Sequence, residues 1–294
     1  MRIVLIGAVQ FSLSCLETLI AQHANLVGIV TRKSIDAHAD FADLEPLAEE
    51  HTIPVLKSDQ INNPDVLAWI KTCQPDVIFC FGWSQIIKSE LLAIPPLGIV
   101  GYHPALLPEN RGRHPIIWAL VLGLKETGST FFFMDQSPDS GPILSQKRLS
   151  IGEIEDAGSL YARLTEVAQE QIIKFLPQIE MGSAPRLAQP SEGASSWRKR
   201  TPIDGRIDWR MSSQNIHNLV RALTPPYPGA TISVQGREYP IWRTSIGDTN
   251  PSARIEPGFI LSVDGQEIEV KTGDGSIVLM DHDVDPLPHQ GDYF

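Results

Sequence analysis

Apolar residues in the first 180 positions form short continuous runs that alternate with segments of helical spacing. The continuous runs predict buried strands at 2–6, 26–31, 53–56, 77–81, 99–102, 129–134 and 143–149. The helical spacing predicts helices at 11–21, 40–51, 64–72, 116–122 and 158–179. Because strands alternate with helices and have no polar face, we expect a mostly parallel, Rossmann-like α/β sheet with helices on both faces.

The pattern changes after position 185. Residues 186–203 are rich in Pro, Ser, Gly and charged side chains, a composition typical of a linker. A helix at 213–223 follows, and then short alternating strands at 231–234, 239–243, 258–263, 268–271 and 277–280. We therefore predict a first domain at 1–185, a linker at 186–203, and a small β-barrel of the oligonucleotide-binding (OB) type at 204–294.

Acidic residues outnumber basic ones in the 294-residue chain, which carries a formal net charge of -11. Affinity for nucleic acid comes largely from lysines and arginines that contact phosphates, so we expect no nucleic acid partner. The segment 28–51 follows the same trend, with two basic residues against six acidic ones: Arg32 and Lys33 against Asp36, Asp40, Asp43, Glu45, Glu49 and Glu50.

Two further features narrow the class of protein. The chain has no run of eighteen apolar residues and no cleavage site after its first apolar run, so we expect a cytoplasmic protein that is not inserted in a membrane. Its three cysteines, Cys15, Cys73 and Cys80, form no Cys-x-x-Cys pair. We expect reduced, packed thiols and no metal site.

The candidate chemistry lies in two loops. His103 follows the predicted strand 99–102, and ligands of open α/β sheets bind outside the carboxyl ends of strands. A second loop, 134–142, contains Asp139. A carboxylate beside an imidazole fixes its tautomer and stabilises its protonated form, which suits proton transfer near neutral pH. A packed histidine without a catalytic role is the alternative at this point.

These loops resemble those of the 10-formyltetrahydrofolate-dependent formyltransferases. The resemblance covers most of the chain, and its most specific motifs are His103-Pro-x-Leu-Leu-Pro108, Arg111-Gly-Arg113, Thr127-Gly-x-Thr130, Met134-Asp and Asp139-Ser-Gly141. The second domain is similar to those of the methionyl-tRNA and sugar-nucleotide members of the family. This similarity rests on Arg200-Thr-Pro-x-Asp204, Ile207-Asp-Trp209, His217-Asn-Leu-Val-Arg-Ala222 and Tyr227-Pro-Gly-Ala230.

The resemblance implies a role for each residue of the site. His103 would shuttle protons while an amine attacks the formyl carbon, and Asp139 would orient or electrostatically support it. The implied folate contacts are the main chain of Gln85, Ile86 and Ile87, the loop from Asp135 to Asp139 closing over the pteridine, and Arg113. Core packing is the alternative for Ile86 and Ile87.

Gly101 departs from the family pattern Asn-x-His, because it stands where the family has an asparagine that donates to the oxyanion. A main-chain N–H, an ordered water or Asn110 would have to replace that donor. Losing one such donor costs roughly two to three powers of ten in rate. The structural alternative is that Gly101 makes room for Tyr102 or for a bulkier substrate.

Tyr102 and Arg111 are our candidate substrate contacts. Arg111 or Arg113 would meet a diphosphate, and a loop salt bridge is the alternative for these arginines.

The expected reaction is transfer of formyl from 10-formyltetrahydrofolate, without a metal, to the amine of a nucleotide-linked amino sugar. Three alternatives stay open: a methionyl-tRNA formyltransferase, a catalytically weak protein that binds folate or nucleotide sugar, and a hydrolase that releases formate. Gly101 favours the weak binder, whereas the presence of both His103 and Asp139 disfavours it. Small barrels can also mediate self-association, so a homodimer is a further expectation.

Overall fold

The computed structural model describes residues 1–33, 40–248 and 251–294, so Asp36 lies outside the described residues. The chain divides into two compact units. The first comprises Met1–Pro115, Thr127–Leu149 and Ala162–Trp197, and the second comprises Ile116–Glu126, Ser150–Tyr161 and Arg198–Phe294. The division between Trp197 and Arg198 therefore falls inside the segment predicted as a linker.

The helices and strands follow one another in an alternating order through the first unit and give way to strands in the second. In chain order they are β1 (Arg2–Ile6), α1 (Gln10–Ala21), β2 (Asn25–Thr31), α2 (Glu45–Glu50), β3 (Val55–Lys57), α3 (Pro64–Thr72), β4 (Val77–Cys80), α4 (Ser89–Leu92), β5 (Ile99–His103), β6 (Arg111–Gly112), α5 (Pro115–Val121), β7 (Glu126–Phe133), β8 (Ile143–Ser150), α6 (Ala157–Glu180), β9 (Ser196–Trp197), α7 (Ser213–Arg221), β10 (Ala230–Val234), β11 (Arg237–Ile246), β12 (Ile260–Asp264), β13 (Glu267–Lys271) and β14 (Ser276–His282).

A seven-stranded sheet with the order β3-β2-β1-β4-β5-β7-β8 organises the first unit. The five strands from β3 to β5 run parallel, and β7 runs antiparallel to β5. Strand β4 is buried throughout, as its continuous apolar sequence predicts. Strands β2 and β3 lie on one side of β1, and the next strands in the chain, β4 and β5, lie on its other side. A crevice opens at such a reversal of strand order, outside the carboxyl ends of β1 and β4.

Aromatic side chains pack the sheet where β4, β5 and β7 meet. The ring centroids of Phe81 and Phe131 lie 5.3 Å apart, and those of Phe131 and Phe175 lie 4.9 Å apart. All three side chains are almost fully buried. Each such burial stabilises the fold by about 1.5–3 kcal/mol. This packing gives the strand that carries the candidate histidine a rigid support.

The second unit is built on a five-stranded antiparallel sheet with the order β10-β11-β14-β13-β12. Helix α7 begins after Ser212, whose hydroxyl accepts a hydrogen bond from the amide of Asn215 at 3.1 Å. The predicted fold class, a mostly parallel α/β sheet followed by a small β domain, is confirmed. Within the described part of the chain, no helix combines the length and the hydropathy needed to cross a membrane.

The structure differs from the sequence prediction near position 40. A helix was expected at 40–51, but α2 covers only Glu45–Glu50. Phe41 instead forms an antiparallel bridge with Val9, and the amide of Gln10 donates to the carbonyl of Asp40 at 2.9 Å. These long-range hydrogen bonds satisfy backbone groups that a longer helix would have used.

All three cysteines are free and buried. Burial raises the pKa of the Cys80 thiol to about 12 and raises that of Cys15 well above its ordinary value. We expect neither of these two thiols to react with iodoacetamide at mildly alkaline pH in the native protein, and both to react in guanidinium chloride. Mass spectrometry of labelled peptides measures this directly. Native-state labelling of Cys80 at the rate of a free cysteine would contradict the buried position.

Candidate active site

His103 ends strand β5, and only 4% of its surface is exposed. Its Nε2 lies 2.7 Å from the carbonyl oxygen of Asn110. A carbonyl oxygen only accepts hydrogen bonds, so this contact assigns the proton to Nε2. The other ring nitrogen, Nδ1, lies 3.8 Å from Oδ2 of Asp139. Nδ1 is therefore the nitrogen that can gain or lose a proton, with a carboxylate beside it.

Asp139 sits in a loop whose backbone is tightly constrained. Its φ of +55° lies in the left-handed region, which a residue other than glycine adopts only when its surroundings hold it there. One carboxylate oxygen accepts a hydrogen bond from the amide of Gly112 at 2.9 Å. A Cβ at Gly141 would meet the carbonyl oxygen of Phe133 at 1.8 Å, so only glycine permits this close return of the loop.

Three polar side chains fix the loop that follows His103. Thr127 Oγ1 donates to the carbonyl of Pro104 at 3.2 Å, and Thr130 Oγ1 donates to the carbonyl of Ala105 at 2.6 Å. Gln146 Nε2 donates to Thr130 Oγ1 at 3.0 Å. The threonines of the Thr127-Gly-x-Thr130 motif therefore shape the loop that carries the Asn110 carbonyl back to the imidazole.

Gln189 is a site residue that the sequence analysis missed. Its Oε1 accepts a hydrogen bond from Arg111 Nη2 at 2.6 Å. Its Nε2 donates to the carbonyls of Asp139 and Gly141, at 2.9 and 2.7 Å. Strand β9, a few residues later, pairs in parallel with β6. Part of the predicted linker thus joins the two candidate loops, and no motif in that Pro- and Ser-rich stretch signalled it.

Two predicted site residues that precede His103 on β5, Gly101 and Tyr102, do not join the hydrogen-bonded cluster around His103. A Cβ at Gly101 would lie 3.0 Å from Met134 Cγ and 3.1 Å from Phe132 Cζ, so neighbouring side chains already fill that direction. Tyr102 points to the opposite face of β5 from His103, because side chains alternate along a strand. It stacks on Phe11 with a centroid distance of 4.1 Å. Burial raises the pKa of its hydroxyl. A role for Tyr102 in substrate binding stays a prediction.

The three predicted folate contacts after β4 differ in the surroundings of their side chains. The Gln85 side chain is engaged, since its Oε1 accepts from the amide of Ile61 at 3.0 Å and its Nε2 donates to the carbonyl of Asp59 at 2.6 Å. Ile87 packs in the core and is 3% exposed, whereas Ile86 is 64% exposed. The Ile87 side chain thus packs in the core, whereas the Ile86 side chain is available to a ligand. The main-chain contacts of Gln85, Ile86 and Ile87 with folate stay a prediction.

The predicted polar contacts differ in exposure and in hydrogen-bond partners; they are Asp135, Arg111 and Arg113. Asp135 is exposed, and its Oδ1 accepts hydrogen bonds from the Ser137 amide and the Ser140 hydroxyl, at 2.9 and 2.7 Å. The Arg113 side chain is exposed, and its guanidinium makes no hydrogen bond or ion pair with the residues that the structure describes. Arg111 is held by the neutral amide of Gln189 rather than by a salt bridge. In the described ranges, no group of three His, Cys, Asp or Glu residues is placed to hold a metal ion.

Two family models match the chain. The formyl transferase model matches residues 1–176, and the model of the formyl transferase C-terminal domain matches residues 199–284. The chain belongs to the formyl transferase family. It is therefore an enzyme of the one-carbon transferase class. The first matched segment contains all strands of the seven-stranded sheet, and the second contains all strands of the five-stranded sheet.

Solved structures agree with this formyltransferase fold over nearly the whole chain. WlaRD, a sugar 3N-formyl transferase crystallised with dTDP and 5-N-formyl-THF, has a TM-score of 0.70 at 18% identity, with 98% of this chain and 99% of that chain covered. The N-formyltransferase from Helicobacter canadensis with folinic acid and dTDP-3-aminofucose has a TM-score of 0.70 at 17% identity, covering 95% and 98%. Methionyl-tRNA formyltransferase from Clostridium thermocellum has a TM-score of 0.63 at 17% identity, covering 93% and 100%.

The geometry places a buried imidazole beside a carboxylate. Nδ1 of His103 faces Oδ2 of Asp139 at 3.8 Å, which is the arrangement expected of a proton shuttle. The Nε2 proton stays committed to Asn110. Apo sites often have long catalytic contacts that tighten on binding, so the 3.8 Å separation is compatible with this role.

We expect His103→Asn and Asp139→Asn each to lower formyl transfer by about 100-fold or more, because general acid–base catalysis contributes roughly 10²–10⁴ in rate. The measurement is tetrahydrofolate release, with circular dichroism to verify the fold. His289→Asn, at an exposed histidine, is the matched control and should retain full activity. Near-normal turnover in either site variant would overturn the assigned role.

Gly101→Asn tests the missing asparagine. Its side chain would enter space that Met134 and Phe132 occupy, so we expect the free energy of unfolding to fall by about 1–3 kcal/mol with no gain in turnover. Adding Met134→Ala should recover part of the lost stability. Denaturant unfolding measures both effects. Faster turnover in the single variant, at unchanged stability, would show that the position accepts the amide.

Proposed function

We propose that this formyltransferase moves the formyl group of 10-formyltetrahydrofolate to the amine of a nucleotide-linked amino sugar. The observation that carries the proposal is the buried His103 between the Asp139 carboxylate and the Asn110 carbonyl, at the carboxyl edge of the sheet. The crystallised relatives named with dTDP, dTDP-3-aminofucose and folates support the same pair of substrates.

The residues beside His103 fit a folate donor. A pteridine is flat and partly apolar, and the exposed Ile86 side chain offers an apolar contact next to the carboxyl end of β4. The loop from Asp135 to Asp139 would cover the other side, and the unpaired Arg113 guanidinium would meet an anionic group of the donor. Ile86, the Asp135 loop and Arg113 are therefore the residues that would hold the folate.

The proposed reaction needs one proton to move from the amine to the nitrogen that leaves. The bound donor supplies the formyl carbon, to which the amine nitrogen forms a bond as the bond to the folate nitrogen breaks. His103 takes the proton of the amine at Nδ1 and returns it to the departing nitrogen. Asp139 stabilises the imidazolium between these two steps. No net charge is left on the protein.

The charge of the chain favours a small anionic acceptor over tRNA. The net charge is -11, and the stretch after β2 carries Asp40, Asp43, Glu45, Glu49 and Glu50. A tRNA surface would meet repulsion there rather than the counterion release that drives binding. An amino sugar on a nucleotide needs only a local cationic site.

A second candidate function is binding of folate without efficient transfer. It is favoured by Gly101, which has no side-chain amide and whose Cβ direction is filled by Phe132 and Met134. Under this candidate His103 and Asp139 would remain at their positions, but the oxyanion would lack a side-chain donor. The formyltransferase and the folate-binding protein would differ in turnover and not in affinity for folate.

The deciding experiment follows tetrahydrofolate release from 10-formyltetrahydrofolate by absorbance. The acceptors are amino sugars linked to dTDP or UDP and aminoacylated initiator tRNA, each offered separately. We expect release that depends on an amino-sugar nucleotide. Release only with tRNA would contradict the proposed acceptor, and release without any acceptor would indicate a hydrolase. Tight binding of folinic acid with no release under any condition would favour the binding protein.

A further inference from the structure

Arg32 follows strand β2 at the carboxyl edge of the sheet, and only 9% of its surface is exposed. Its guanidinium carbon lies 4.8 Å from the centre of the Trp83 ring, and its Nη2 donates to the hydroxyl of Ser84 at 3.1 Å. Trp83 and Ser84 follow strand β4, on the other side of β1. The side chain therefore reaches across the end of the central strand.

Some polar atoms in this cluster have no partner among the described residues. Arg32 Nε and Trp83 Nε1 are both buried and donate to no acceptor there, and the same is true of the hydroxyl of Thr31. A guanidinium and an indole N–H are donors only, so both call for an acceptor. A buried donor without a partner destabilises the protein. An acceptor that a ligand brings would therefore fit these donors.

In the part of the chain that the structure describes, no carboxylate neutralises the Arg32 charge. Among the residues that the structure describes, no Asp or Glu oxygen lies within 4.0 Å of its guanidinium nitrogens, and the only side-chain hydrogen bond is to a neutral hydroxyl. The carboxylate of Asp59 accepts a hydrogen bond from the backbone amide of Lys33 rather than from the Arg32 side chain. A buried charge is usually paired, so an anion that binds reversibly fits this position.

The cluster borders the crevice where the strand order reverses. Gly7 and Gly82 follow β1 and β4, and a Cβ at Gly7 would lie 2.7 Å from the carbonyl oxygen of Phe81, so the two turns approach closely. The twelve-residue helix α1 begins here at Gln10. A helix N-terminus attracts anions, and the diphosphate of a nucleotide commonly binds at such a crevice.

We propose that Arg32 and Trp83 bind the diphosphate of the acceptor nucleotide. This inference rests on the proposed function and names the part of the site that holds the acceptor. Arg32 offers a planar guanidinium that suits phosphate oxygens, and the indole N–H of Trp83 adds a second donor. It is an alternative to our expectation that Arg111 or Arg113 meets the diphosphate; the guanidinium of Arg111 is already bonded to Gln189.

The alternative anion is a carboxylate of the folate donor. The proposed folate contacts begin at Gln85, the residue after Ser84, and the Gln85 side chain bonds to Asp59 and Ile61, which follow β3. The acceptor is favoured for the Arg32 cluster because this cluster borders the crevice at the strand reversal, where nucleotide diphosphates commonly bind. Binding of folinic acid to the Arg32 variant separates the two anions.

The test compares binding of dTDP, UDP and GDP to the wild-type protein and to Arg32→Gln by calorimetry, without turnover. We expect the variant to bind the preferred nucleotide about 10- to 100-fold more weakly, which is the loss of one charged hydrogen-bond contact. The corresponding nucleoside should bind the two proteins equally. The ligand-free variant should unfold at the same or a higher temperature, because it loses an unpaired buried charge.

Lys33→Gln, which removes an exposed neighbouring charge, is the matched control and should bind nucleotide as the wild type does. Equal affinity of wild type and Arg32→Gln would overturn this inference alone. Weaker binding of folinic acid, with nucleotide binding unchanged, would assign the cluster to the donor and also overturn it. Failure of the wild type to bind any of the three nucleotides would instead overturn the nucleotide-linked acceptor, and this inference with it.

Discussion

The hydrogen bond between His103 Nε2 and the Asn110 carbonyl is the contact on which the rest of the site depends. It assigns the tautomer, and by doing so it turns Nδ1 toward Asp139. The bond exists because the loop after β5 folds back on itself, and the Thr127 and Thr130 hydroxyls hold that loop through its carbonyls. The Thr127 and Thr130 hydroxyls therefore help to determine which ring nitrogen faces the carboxylate.

The site is assembled from segments that are far apart in the sequence. The loop after β5, the loop after β7 and the stretch around Gln189 meet through a few hydrogen bonds between side chains and backbone. Because Gln189 bonds to two carbonyls of the Asp139 loop and also to Arg111, it holds the two loops in register. A segment with the composition of a linker thus contributes to the rigidity of the site.

The carboxyl edge of the sheet offers chemically different groups. The loop after β7 presents acidic residues, and the segment after β4 presents an exposed apolar side chain, Ile86. After β2, Arg32 lies against Trp83 and has no carboxylate partner among the described residues. In an acidic protein such a buried cation is costly, and its retention is consistent with a substrate that brings the compensating negative charge. Donor and acceptor would then be distinguished by the chemistry of the groups that bind them.

The sequence by itself determined the parallel sheet, the change to short strands near position 200, and the placement of His103 at a strand end, because hydrophobic periodicity and motif spacing are local properties. Only the tertiary structure decided which side chains meet. It placed Tyr102 on the opposite face from His103 and bound Gln85 to Asp59 and Ile61. It also left Arg32 without a counter-ion among the residues at 1–33, 40–248 and 251–294. Side-chain direction and partners distant in sequence are set by packing, which no local pattern encodes.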